Sequence, residues 1–152
     1  MQLLTLELED DYLLIGIHST EEDYRLAYLL NKHLKTKLVR FKQHLDFKNS
    51  TAEFPLFEYK DERNFINYYL INNKYSKLVN NTKNKGLFEE NYSTVLNLIP
   101  EKKNVDFFLK IEGCNQQNLM ITLVNKLNKI NQVITSYAID TNSLKSKNNL
   151  IF

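Results

Sequence analysis

The chain is poor in cysteine, glycine, histidine and proline: of its 152 residues they make up one, three, three and two. A lone Cys114 forms no internal disulfide and supplies no thiol set for a metal ion. It follows Gly113 at an expected strand end, with no histidine or basic cluster beside it in sequence, and is read as an inert thiol. His18, His33 and His44 fall in no catalytic or zinc spacing, so neither a triad nor a metal site is expected. His18 closes a strand next to Ser19, and His33 lies near the apolar side of a helix; both are read as structural. With so few glycines, no glycine-rich loop leads into a helix to cradle a phosphate, and no cofactor is expected. Apolar runs such as "YLLIGI" stop well short of the roughly 18 residues a membrane-spanning helix needs. The start, "MQLLTLELEDD", has acids where a secretory signal has basic residues, so the expected location is the cytoplasm and no membrane partner is expected.

What is present is an ordinary globular composition, 43% hydrophobic and 25% charged, at the length of one domain spanning 1–152. Leu4, Leu6 and Leu8 alternate ahead of "EDD" and the apolar "YLLIGIH", which predicts an opening hairpin. Ser19 and Glu22 have the spacing of a capping box, and Ala27, Leu30 and Leu34 follow on one helical face, flanked by Leu26. "KLVRFKQ" reads as a strand. "FPLFEYK", "DERN" and "FINYYLINN" give the clearest hairpin, and "KYSKLVNNTKNKG" reads as a polar loop. "YSTVLNLI" and "VDFFLKIEG" read as strands, the second placing Val105, Phe107, Leu109 and Ile111 on one face. Met120, Leu123, Val124, Leu127 and Ile130 recur at helical spacing before the last strand, "QVITSYAID", and the apolar "NLIF" is expected to dock. The order predicts an α+β fold: a two-layer sandwich of a mostly antiparallel sheet with two main helices on one face, in a ferredoxin-like arrangement with added strands. No internal repeat is visible in the letters.

Two acids draw attention. In "NLIPEKKNVDFFLKIEG", Pro100 and Glu101 interrupt one apolar run, and Asp106 is set inside the next, the expected strand that starts at Val105. Pro100 presets φ for a turn or the first residue of a helical turn, where Glu101 complements free amides. Asp106 is placed to accept hydrogen bonds from amides of its own turn. Both are read as structural before functional. Through "IPEKKNVDF", Ile99 to Phe107, the chain resembles the bacterial IPExxxVDY family, and the similarity extends to "EEDYRLAYLLNK", "FPLFEYKD", "GLFEE" and "VITSYAIDTNSLKSKNNLIF". Phe107 stands where the motif has tyrosine, which removes the phenol from consideration. The resemblance implies a family and no mechanism.

Three functions remain open. The leading one is a small non-catalytic module that binds another protein. The second is an RNA-binding accessory: segment 25–48 holds seven Lys or Arg against one acid, with Lys35, Lys37, Arg40 and Lys42 at its centre, and the aromatic hairpin 54–72 follows. A net charge of only +2 ranks it lower. The third is an enzyme with Glu101 and Asp106 as an acid and base, which requires one pocket to hold both.

Overall fold

A computed structural model of the protein describes residues 12–41, 45–46, 53–80, 91–113 and 117–151. In chain order the elements are β1 (Tyr12–His18), α1 (Asp23–Leu34), β2 (Val39–Arg40), β3 (Leu45–Asp46), β4 (Glu53–Phe54), β5 (Leu56–Asp61), β6 (Ile66–Asn72), β7 (Lys74–Asn80), β8 (Asn91–Asn97), β9 (Phe107–Glu112), α2 (Gln117–Asn128) and β10 (Thr135–Ala138). Short 3-10 turns occupy Pro100–Lys102, Thr141–Ser143 and Lys147–Leu150. The expected strand through Leu4, Leu6 and Leu8 lies outside the described residues, as do Lys42, His44 and Cys114.

Six strands form one sheet in the order β10-β1-β9-β6-β5-β2, antiparallel throughout. The four strands β10-β1-β9-β6, with helices after β1 and β9, have the split β-α-β arrangement of a ferredoxin-like core, and β5 and β2 extend it on one side. β3 pairs with β4, and β7 with β8, as separate ribbons. The polar loop expected at "KYSKLVNNTKNKG" is therefore corrected: its first seven residues are strand β7, paired from Lys74↔Asn97 to Asn80↔Asn91. Composition misled because a two-stranded ribbon outside the main sheet does not need the apolar alternation that marks a core strand.

Period-two alternation sorts the side chains between two layers. Leu13, Ile15 and Ile17 of β1 and Phe107, Leu109 and Ile111 of β9 face the helices, meeting Leu26 and Leu30 of α1 and Met120, Leu123 and Leu127 of α2. Leu14, Tyr69, Ile71 and Phe108 point the other way, under Phe54, Leu98, Ile99, Val105, Ile139, Leu144 and Leu150. Val105 thus joins the face opposite to Phe107, contrary to the expected grouping, because β9 begins only at Phe107 and the alternation does not reach back to it. The docking expected of the C-terminal run is carried by Leu150, fully buried, while Ile151 is exposed. Buried Lys110 donates to the Leu150 carbonyl at 2.6 Å, pairs with Glu112 at 2.7 Å, and lies over the rings of Tyr12 and Tyr69.

The start of α1 differs from the capping-box expectation. The helix begins at Asp23 with Glu22 as its N-cap residue, whose side chain makes no capping hydrogen bond. Ser19 lies too far upstream. Its hydroxyl donates to the Gln132 carbonyl at 2.8 Å and accepts from the Glu21 amide at 3.2 Å, joining the β1–α1 connection to the segment before β10. At the other end Lys35 takes a left-handed conformation, φ 57°, and stops the helix. Gly113 is required: at φ 86° a Cβ would collide with the backbone oxygen of Phe65, at the tip of the β5–β6 hairpin.

Candidate functional site

The segment Ile99–Asp106 is built around a residue that the sequence does not advertise. Asn73, in the joint between β6 and β7, is fully buried. Its Nδ2 donates to the carbonyls of Lys102 and Val105 at 2.9 and 2.8 Å, and its Oδ1 accepts from the Ile99 amide at 2.8 Å. Its own amide donates to the Asp106 carbonyl, and its carbonyl accepts from the Leu98 amide. One side chain thereby satisfies backbone groups at both ends of the turn. Pro100 is the first residue of the 3-10 turn, as its fixed φ favours, and the Lys102 amide closes that turn on the Ile99 carbonyl.

The two acids face different partners. Glu101 is exposed and takes the Ser146 amide on Oε1 at 2.6 Å and the Ser146 hydroxyl on Oε2 at 2.9 Å, tying the turn to the C-terminal segment. Burial works to raise its pKa, but the amide and hydroxyl of Ser146, together with the amides of Glu101 and Lys145, outweigh this and hold the carboxyl below the ordinary glutamate value. A depressed folded-state pKa means that Glu101 contributes stability above its unfolded-state pKa, and that this is lost as the pH falls through the folded-state value. Acid titration of the unfolding midpoint is expected to show this loss in the wild type and a smaller one in Glu101→Gln.

Asp106 precedes β9 rather than lying within it, and its acceptors serve distant elements rather than its own turn. Oδ2 accepts from the Ser19 amide at 2.9 Å and Oδ1 from Lys74 Nζ at 2.9 Å, while its own amide donates to the Ile17 carbonyl at 3.1 Å. The correction follows from chain direction: entry into β9 runs beside the exit from β1, so the nearest free amide belongs to Ser19. Asp106→Ala leaves that amide and Lys74 without an acceptor. It is expected to lower stability by about 1 to 3 kcal/mol, read from the urea midpoint at neutral pH.

Asp106 lies at the wall of a cleft of about 280 Å³ lined by Ser19 to Asp23, Asn72, Lys74 and Phe107. Glu101 is not part of this lining. Of the acids there, Glu21 pairs with Arg25 at 3.5 Å, Asp23 with Arg40 at 3.1 Å and Asp106 with Lys74. Among the described residues no group of three or more His, Cys, Asp and Glu is assembled to hold a metal ion. His18 shares a 2.9 Å hydrogen bond with the Tyr137 hydroxyl. His33 is exposed, not packed as expected, since it lies just off the buried stripe of α1.

Lys35, Lys37 and Arg40 are all exposed, beyond the C-terminal end of α1 and along β2. Arg40 is committed to Asp23 and lies over the Phe57 ring at 5.3 Å. The hairpin aromatics divide differently: Phe54, Phe57, Tyr68 and Tyr69 are buried, whereas Phe65 is 84% exposed. Tyr24 and Tyr28, 58% and 66% exposed, are the aromatics that residue spacing alone did not single out. With Asn31 they recur at i, i+4 and i+7, and Asn31 bonds to Leu38 just before β2, so this flank of α1 turns toward the β2 edge. No described helix is long and apolar enough to cross a membrane. No protein-family model matches the chain, and no curated protein and no solved structure is detectably similar to it.

Proposed function

We propose that the protein is a small non-catalytic module that binds another protein through the flank of α1 that carries Tyr24 and Tyr28. The observation that carries this reading is the pair of exposed tyrosines beside the β2 edge, where Lys37 and Arg40 supply a polar rim. Interfaces favour this composition, because tyrosine gives a large amphipathic contact area at small entropic cost. The polar groups of Ile99–Asp106 point to a structural clamp: Asn73, Glu101 and Asp106 each bond to partners within the fold. The separation of Glu101 from the cleft weakens an acid and base pair. The resemblance to the IPExxxVDY family enters the proposal as a family assignment, with a bacterial cytoplasm as the setting.

RNA binding is the second reading, because Lys35 and Lys37 continue from the same flank. The burial of Phe57, Tyr68 and Tyr69 leaves the hairpin with little stacking surface, which favours protein over RNA. The test places a photo-crosslinking amino acid at position 28 in cells, with position 62 on the hairpin as control. A discrete protein adduct at 28 and none at 62 supports the proposal. An adduct with RNA at 28 moves the assignment to the second reading, and no adduct of either kind at 28 overturns both.

A further inference from the structure

Both outer strands of the described sheet meet the side-chain amide of a helical asparagine. In β2, the Phe41 amide donates to the Leu56 carbonyl, so Val39 and Phe41 turn their backbone groups to β5 and Leu38 and Arg40 turn theirs outward. The outward amide of Leu38 donates to Asn31 Oδ1 at 2.8 Å, and its carbonyl accepts from Asn31 Nδ2 at 3.1 Å. In β10 the Ile139 amide donates to the Leu14 carbonyl, which by the same alternation turns Ser136 and Ala138 outward. The Ser136 amide donates to Asn128 Oδ1 at 2.7 Å, and its carbonyl accepts from Asn128 Nδ2 at 3.2 Å. Each Oδ1 also accepts a hydroxyl, Thr36 at 2.8 Å in one case and Ser136 at 2.9 Å in the other. A carboxamide that exchanges both bonds with one residue does what the peptide group of a neighbouring strand would do.

We propose that Asn31 and Asn128 guard the two edges of the sheet formed by the described residues, and that Asn128 alone keeps β10 from pairing antiparallel with the β10 of a second copy. Charge separates the two edges. Thr135, Ser136, Tyr137 and Ala138 contain no charge to repel their own copy, and Ile134 next to them is 69% exposed. Around Leu38, Lys37 and Arg40 would oppose a second copy even without Asn31. The β10 half of the inference is independent of the α1 flank and its partner, since Asn128 belongs to α2.

Sedimentation and light scattering over a wide concentration series test it. The wild type is expected to remain at its 18.0 kDa chain mass. Asn128→Ser, which withdraws the carboxamide from the Ser136 amide and carbonyl, is expected to double that mass, and Asn128→Ser with Ala138→Lys to return to monomer. Asn31→Ser is expected to stay monomeric at low salt and to associate only when salt screens Lys37 and Arg40. Dimeric wild type, a folded Asn128→Ser chain that stays monomeric, or a dimer that survives Ala138→Lys overturns the proposal. Hydrogen exchange on the wild type is a check that no variant can compromise: the Ser136 amide is expected to be protected like the Tyr137 amide that faces β1. Exchange of Ser136 at the rate of an uncovered edge amide overturns it as well.

Discussion

Asn73→Ala is expected to lower the unfolding free energy by about 3 kcal/mol, because it strips a buried acceptor from the Ile99 amide and a buried donor from the carbonyls of Lys102 and Val105. Water cannot readily replace the carboxamide, since Asn73 is wholly enclosed. Asn73→Asp is the informative companion. It keeps the acceptor for Ile99 but turns a donor into a second carboxylate oxygen facing two carbonyls, so it is expected to do no better than alanine at neutral pH. Urea denaturation with an unchanged slope would assign the loss to the folded state. A loss under about 1 kcal/mol for Asn73→Ala would mean that the turn holds without its central side chain.

Phe108→Ala is expected to be larger still, about 3 to 5 kcal/mol. Phe108 is fully buried in the layer opposite the helices, on the strand paired with both β1 and β6. The residues above it include Leu144, just after one short turn, and Leu150, the last residue of another, rather than residues of regular elements. Some collapse into the cavity is open to them, which keeps the expected value below the top of that range. Phe108→Leu, which retains most of the volume, is expected to recover more than half of the loss. Equal loss for leucine and alanine would indicate that ring shape rather than buried volume holds that layer.

Periodicity made much of the fold legible. Leu26, Ala27, Leu30 and Leu34 are the buried stripe of α1, Met120, Leu123 and Leu127 that of α2, and the aromatic hairpin is β5 and β6. These features are written locally, since a residue and its neighbours four or two positions away report the same face. What remained illegible depends on residues far apart in sequence. Asn73 sits in a polar run, "INNKYSK", that resembles a loop, and nothing near it hints that its partners begin at Ile99. Ser19 has the spacing of a cap, yet Gln132 claims its hydroxyl and the helix starts four residues later. For Glu101 and Asp106, sequence conveyed that both belong to a turn, but not that one reaches Ser146 and the other Ser19. Asparagine is common in this chain, so letters alone did not distinguish Asn31, Asn73 and Asn128 from the rest.

The position of β1 between β10 and β9 has a consequence for the order of events in the living chain. Its residues leave the ribosome before those of both neighbours, since Ile17 pairs with Phe107 on one side and Ser136 on the other. Until β9 is made "YLLIGIH" is an apolar segment with neither neighbour, the kind that chaperones shelter. The helices can flicker in and out while they wait, but the sheet closes only when distant segments meet, and that closure sets the folding rate. Slowing translation after β1 prolongs the exposure of that strand, whereas slowing it after β10 does not.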